Sequence, residues 1–423
     1  MSTLVIKNFG PIRSANIETK RFNIYIGPQG SGKSCLMKVL SFCQWLEKRI
    51  ELTQDPAAFG TLDFVEKQLI QFHKLGGYIK DDSFIQYESR CMKFAFDFGK
   101  TAFDMFSFEW KEDRWEYTRG SITYIPAERN ISFVIPNWFE MKFYEDNLQN
   151  YLADWDEARR LFDKENPLHI LDLNVKYYYD PSRNADWLVL EDDSEIKMGN
   201  AASGFQSVTP LLALVWSRTM SMLSGQSRKD LKSKWEQNQL EEKVRNLVLS
   251  YVKGKTPPIT MVETKDKEKP EYTSFPSHEA FNEFERILSR YEYNHHASLL
   301  IEEPEENLFP KTQYELVKWL ARQVGTNNSL FLTTHSPYIL SAFNNLIYAY
   351  KLGVKRPDDV GRIVTQDMWI PTEDVASYMI KEEGGVMDII DVELGEIRAE
   401  MVDEASGIIN RQYNALMMLD TDE

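Results

Sequence analysis

The sequence predicts an α/β protein with a mixed, mostly parallel core sheet, an antiparallel β subdomain and an inserted helical arm. Three observations carry this. The apolar run Phe22-Asn23-Ile24-Tyr25-Ile26 leads into a glycine-rich turn. From Ser34 to Ile50 there follow Leu36, Val39, Leu40, Cys43, Leu46 and Ile50 at helical spacing. Two later apolar runs, Ser298–Ile301 and Ser329–Thr334, read as buried strands that each deliver polar residues at their ends. Between Ser83 and Ile125 apolar residues alternate, most clearly at Phe94/Phe96 and Phe106/Phe108, which is the period of a sheet with one buried face.

The opening, Leu4 to Ile12, reads as a strand ending in a Gly-Pro turn, with a second strand over Ser14–Glu18. Residues 51–80 look helical and mixed in charge. Strand-like pieces follow at Phe84–Tyr87, Met92–Phe96, Phe103–Phe108 and Trp115–Tyr117. Ile122 to Asn130 is a buried strand running into the polar turn Glu128-Arg129. A salt-bridged surface turn and a role near a nucleotide are both open for that pair. Residues 137–165 form the helical arm, with Trp138, Phe139, Phe143, Tyr144, Tyr151 and Trp155. Val175–Tyr179 and Trp187–Glu191 read as a hairpin, and a helix runs from about Val208 to Leu223. Arg228, Lys229, Lys232 and Lys234 form a basic cluster, and 256–258 and 263–270 are loop material. These charges are either a solvated face or a contact surface. Later pieces are a helix from Pro310 through Arg322, strand-like runs at Leu346–Leu352 and Asp374–Lys381, and a tail helix over 399–419 carrying Met401, Ala405, Ile408, Ile409, Tyr413 and Leu416. The division that follows is a nucleotide lobe over 1–135, a helical lobe over 136–298, a core part over 299–345 and a C-terminal α/β segment over 346–423.

Composition bounds the function. The chain has 423 residues, 43% hydrophobic and 13% aromatic, as an ordered protein of about two to three domains has. No apolar run reaches the roughly 18 residues of a membrane span, and the N-terminus does not read as a signal peptide. Cys35, Cys43 and Cys91 show no metal spacing and suit a reducing cytoplasm. A net charge of −16 argues against a nucleic-acid-coated protein while leaving room for a local basic groove.

The chemistry begins at Gly27-Pro28-Gln29-Gly30-Ser31-Gly32-Lys33-Ser34, which matches the phosphate-binding loop. Glycines let backbone N–H groups turn inward onto phosphate oxygens, and the following helix aims its N-terminus at the anion. The cradle candidates are Gly27, Gln29, Gly30, Ser31, Gly32, Lys33, Ser34 and Cys35. Lys33 would reach the β- and γ-phosphates of ATP, and Ser34 would hold Mg²⁺. Glu302 and Glu303 end an apolar strand in the layout of a Walker B site. The first would support Mg²⁺ and the second would polarise the attacking water. His335, at the end of the next strand, stands where a γ-phosphate sensor belongs. A small-residue turn at Asn200–Ser207 opens another helix and makes a second anion site.

This ordered set resembles the ABC-type ATPase heads, and more closely the SMC/RecF/OLD branch. The opening Val5-Ile6-Lys7-Asn8-Phe9-Gly10-Pro11-Ile12, the run Glu302-Glu303-Pro304-Glu305-Glu306-Asn307-Leu308-Phe309-Pro310 and Thr334-His335-Ser336-Pro337-Tyr338 are similar to that branch. The resemblance implies that Ser203, Gly204 and Gln206 form a signature motif, with Phe205 in place of the usual second glycine and Glu302 in place of Asp. It implies a head-to-tail homodimer, or a higher oligomer of dimers, with each ATP between Lys33 of one copy and Ser203-Gly204 of the other. Asn307 would lie in the loop crossing that interface. Gln86 is one candidate for the glutamine of the inter-lobe loop.

Three functions compete. In the first, the chain is an ATPase subunit of an antiphage defence system that controls a separate effector, a nuclease or toxin. About 88 residues follow His335, short for the nuclease domain that OLD proteins carry. The second is a RecF-like DNA-repair ATPase, kept open by the basic cluster. The third is a non-hydrolysing scaffold, against which Glu303 argues.

Overall fold

The computed structural model describes residues 2–135, 146–223, 234–255, 275, 277–391, 393–398 and 412. Strands β1 (Thr3–Phe9) and β2 (Ile12–Glu18) form a hairpin about Gly10-Pro11. Strand β3 (Phe22–Ile26) leads into the glycine loop, and helix α1 (Lys33–Thr53) follows. Next come β4 (Phe84–Glu88), β5 (Met92–Asp97), β6 (Phe106–Trp110) and β7 (Gly120–Ile125). Helix α2 (Asn147–Arg159) and strands β8 (Leu168–His169), β9 (Lys176–Asp180), β10 (Ala185–Val189) and β11 (Glu195–Lys197) precede helix α3 (Ser203–Leu223). The chain continues through α4 (Lys234–Lys255), α5 (His278–Glu292), β12 (His296–Glu302), α6 (Pro310–Val324) and β13 (Ser329–Thr334). It then runs through α7 (Pro337–Gly353), β14 (Val375–Ile380) and β15 (Val386–Asp388).

The core sheet has the order β15-β14-β3-β13-β12-β7, parallel except for the β15 edge. Both faces are covered, which is why β3 and β12 read as continuous apolar runs rather than alternating ones. Phe22, Ile24, Ile26, Leu299 and Ile301 enter one core with α3, α6 and α7. Tyr25, Leu300 and Phe331 enter a second core with α1 and the antiparallel sheet β2-β1-β4-β5-β6. Helix α1 thus fills the space between two sheets, and its Leu36, Val39, Leu40, Cys43, Leu46 and Ile50 are all buried. A smaller sheet, β11-β10-β9-β8, packs Tyr177 and Leu188 into the α3 core beside Trp155 of α2. Helices α4 and α5 bury Val244, Val248, Val252, Phe284 and Leu288 in a satellite cluster of their own. Among the described residues no helix is long and apolar enough to cross a membrane.

The α/β class, the antiparallel subdomain and the strand–loop–helix unit are as expected; four local readings are corrected. Leu346–Leu352 is the second half of α7, not a strand. Ile339, Leu340, Phe343, Leu346 and Ile347 are buried at helical spacing, a period visible only over the longer window. Trp115 lies in a 3-10 turn, Glu112–Glu116, where Arg114 stacks its guanidinium 3.8 Å from the Trp110 ring centre. The helical stretch after α1 is broken by Pro56 and Gly60 into a 3-10 turn (Pro56–Phe59), one α turn (Leu62–Val65) and a π turn (Glu66–Gln71). Gln86 sits in the middle of β4, paired with Val5 and Ala95, rather than in a loop. Trp138, Phe139, Phe143 and Tyr144, the cluster Arg228, Lys229 and Lys232, the loops 256–258 and 263–270, and the tail helix 399–419 lie outside the described residues. Lys234 opens α4.

Candidate active site

Strands β3, β13 and β12 are neighbours and parallel, so their C-terminal ends share one edge of the sheet. That edge is where open α/β sheets place ligands. It gathers the glycine loop after Ile26, Glu302-Glu303 after Ile301 and His335 after Thr334.

The loop is held at both ends. Gly32 has φ 111° and caps α1, a conformation that favours glycine. A Cβ at Gly27 would run into the carbonyl oxygen of Ile380. Lys33 is buried, and its ammonium donates to the carbonyls of Gly27 and Pro28, each at 2.8 Å. Burial pulls the Lys33 pKa below its ordinary value, while Glu303, then Glu305 and Glu302, push it back up. The acidic strand end and the loop lysine therefore share one electrostatic site. Gln29, Gly30 and Ser34 are exposed. Cys35 is buried behind the loop, and burial pushes its thiol up to about 12, so it stays neutral packing.

Glu302 is 4% exposed. Its Oε1 is buried beside the Tyr124 hydroxyl, and neither atom has another partner among the described residues. They are still near enough that Glu302, after burial itself, raises the Tyr124 phenol. Glu303 takes φ +43°, and its N–H donates to the Thr333 carbonyl at 2.9 Å, turning its carboxylate out of the sheet. Glu303 Oε1 lies 3.3 Å from Nε2 of His335, with both side chains about two-fifths exposed. Glu305 fixes the far side of the pair. Its Oε1 accepts from the Thr334 hydroxyl at 2.6 Å and from the His335 N–H at 2.7 Å.

Ser203 is exposed at the start of α3, and Gly204 packs so closely that a Cβ there would sit 2.8 Å from the Asn307 carbonyl oxygen. Asn307 donates through Nδ2 to the Ser207 hydroxyl at 3.1 Å. The Gln206 amide turns inward and donates to the carbonyls of Met198, Gly199 and Ala201, at 3.1, 3.3 and 3.1 Å, so its side chain braces the turn from behind. Among the described residues, no hydrogen bond or ion pair joins this turn to residues 27–34. Within one chain the turn packs against the 302–307 segment.

Sequence reasoning left Arg129 between two readings, and the surface one is overturned: Arg129 is fully buried. Its guanidinium donates to the carbonyls of Ser207, Glu302 and Glu303 at 2.9, 2.9 and 2.7 Å. The anchoring roles of Glu305 and Arg129 had a faint signal only: each polar residue lies just beyond an apolar strand.

Ser31 Oγ in the loop is a buried oxygen without a partner among the described residues, and Glu302 Oε1 at the strand end is buried with no partner beyond the neighbouring Tyr124. Ser34 offers a hydroxyl at the helix N-terminus. These donors fit a magnesium nucleotide.

No curated protein matches the chain. Among solved structures it is similar to an SMC head domain from Thermotoga maritima, with 9% identity, TM-score 0.34, and coverage of 80% of this chain and 90% of that one. It is also similar to an SMC head bound to the C-terminal winged-helix domain of ScpA, with 9% identity, TM-score 0.35, and coverage of 80% and 91%. Likeness this distant says nothing about function. The AAA ATPase domain family matches residues 1–340, most of the chain and every loop of the site just described. With its phosphate loop, acidic strand end and family match in agreement, the chain belongs to the AAA ATPase domain family and is an ATP-binding protein of that kind.

Proposed function

We propose that the chain hydrolyses ATP as an ABC-type head and that two copies trap the nucleotide head to tail, with the ATP cycle controlling a separate effector. The observation that carries hydrolysis is the Glu303–His335 pair at 3.3 Å, on the sheet edge that also holds Lys33. Lys33 would leave the loop carbonyls to meet the β- and γ-phosphates. Glu303 would orient the attacking water and accept its proton, and His335 would donate to a γ-phosphate oxygen. Ser34 and Glu302 would hold a magnesium ion, which neutralises charge building on the phosphate oxygens.

Within one copy the Ser203-Gly204 turn packs on the 302–307 segment, and on this reading a γ-phosphate held by the loop of that copy would be left open to water. The same turn from a second copy would close the site with a helix N-terminus and exclude water. Opening and closing of such a dimer is a two-state element to which an effector can respond. On the resemblance of the motifs, we take that effector to be a nuclease or toxin in antiphage defence.

Mixing tests the shared site. Lys33→Ala and Ser203→Arg should each be inactive alone, because each spoils both sites of its own dimer. Mixed together, heterodimers hold one intact site, and turnover should recover to about a quarter of the parent value by random pairing of a two-fold dimer. A mixture that stays inactive while the two variants still form heterodimers in ATP would overturn the head-to-tail reading.

A further inference from the structure

Arg129 is one of the largest fully buried side chains in the protein. A guanidinium in that position is costly unless its donors are met. Here they are met almost entirely by backbone. Nε donates to Ser207 O at 2.9 Å, Nη1 to Glu302 O at 2.9 Å and Pro126 O at 3.3 Å, and Nη2 to Glu303 O at 2.7 Å. The Glu306 carboxylate lies 3.8 Å from Nη2. Burial lowers the Arg129 pKa and Glu306 is first among the groups that raise it again. The residue itself is anchored: its carbonyl accepts from Ser132 Oγ at 3.0 Å and Tyr151 Oη at 2.5 Å.

Three of the four carbonyls it joins belong to two functional stretches that meet nowhere in sequence. Ser207 lies just past the first turn of α3. Glu302 and Glu303 end β12, and Glu303 holds a left-handed φ that survives only where its surroundings over-determine it. A planar fork with donors in fixed directions can hold three carbonyls at once; a lysine ammonium cannot reproduce that geometry.

We propose that Arg129 is a positioning residue that locks the N-terminal end of α3 to Glu303 in the same chain, so that seating the Ser203-Gly204 turn against a second copy also sets the carboxylate of Glu303. This rests on the hydrolytic reading of Glu303. Asn307 Nδ2 to Ser207 Oγ provides a second, weaker tie between the same stretches.

The test is a double-mutant cycle on the full chain. Arg129→Lys should lower kcat by about 100-fold, the cost of a misplaced catalytic group, while KM and nucleotide affinity keep their parent values. In the Glu303→Gln background the same change should slow the residual single-turnover rate no further, because the group it positions is gone. Equal slowing in both backgrounds overturns the proposal, as does a parent kcat in Arg129→Lys. If Glu303→Gln alone turns over at the parent rate, the hydrolytic reading fails instead. Should Arg129→Lys not fold, Glu306→Gln removes only the ion-pair partner. It should lower kcat in the parent and not in the Glu303→Gln background, and an unchanged kcat in the parent background overturns the proposal.

Discussion

Replacing Glu303 with Gln removes one negative charge and almost nothing else. The residue is held by its backbone: its N–H bonds to Thr333 O at 2.9 Å and its carbonyl accepts from Arg129 at 2.7 Å. Glutamine has the same length and the same strain at φ +43°, so the turn stays where it is. What is lost is the carboxylate 3.3 Å from His335. A partly exposed pair of this kind contributes about 0–1 kcal/mol to stability, so the melting temperature should barely move. A proton acceptor for the attacking water is worth about 100- to 10,000-fold in rate. That corresponds to about 3–5.5 kcal/mol of barrier. The gap between those magnitudes separates a catalytic role from a structural one. The assay pairs steady-state phosphate release with sedimentation in ATP: release should fall by at least the lower factor, and a dimer species should accumulate with unhydrolysed nucleotide. Turnover at the parent rate would refute the assignment of Glu303. Slow turnover without an ATP-dependent dimer would leave the chemistry standing and remove the dimer.

Two further outcomes are expected. Glu51 on α1 is fully buried, with Oε1 unpartnered among the described residues, and burial followed by the charge of Glu47 lifts its pKa to about 8 from 4.5. The folded state then holds a proton that the unfolded state has released, so stability should fall as pH rises from about 4.5 to about 8, by about 1.4 kcal/mol per unit. Glu51→Gln removes this slope and should gain on the parent in urea denaturation at pH 8 relative to pH 5; parallel pH dependences would contradict the buried neutral acid. Gly27→Ala forces a Cβ against the Ile380 carbonyl and should cost about 1–3 kcal/mol while weakening nucleotide binding, read by melting temperature and a fluorescent ATP analogue. Parent values in both would show that the loop end can yield.

Much of the fold was legible because its signals are local. The strand before Gly27, the helix after it and the runs ending at Glu302 and Thr334 each announce themselves within about ten residues. The readings that failed needed a longer window or a neighbour. Leu346–Leu352 alternates well enough to pass for a strand until Ile339 to Phe343 are counted with it. Trp115 looks extended until Arg114 is seen stacked between Trp110 and Trp115. At the site, residues placed by strand ends were readable, whereas those placed by convergence were not. Nothing near Arg129 in sequence hints at carbonyls 78 and 174 positions away, and nothing in Gln206 says that its amide is spent on the turn beneath it.

The nucleotide loop sits where two sheets meet. Its last glycine packs against the β1–β2 hairpin, where a Cβ would lie 3.0 Å from Pro11 Cγ, and its first abuts the end of β14. A bridge between Ser14 and Gly385 ties the same two sheets alongside. The loop is therefore pinned at both ends: shear between the sheets would be delivered to Gly27 and Gly32, whose close packing leaves little slack to absorb it. A protein gripping the outer antiparallel sheet would have leverage on nucleotide affinity from a distance, and a loaded loop would stiffen that sheet in return.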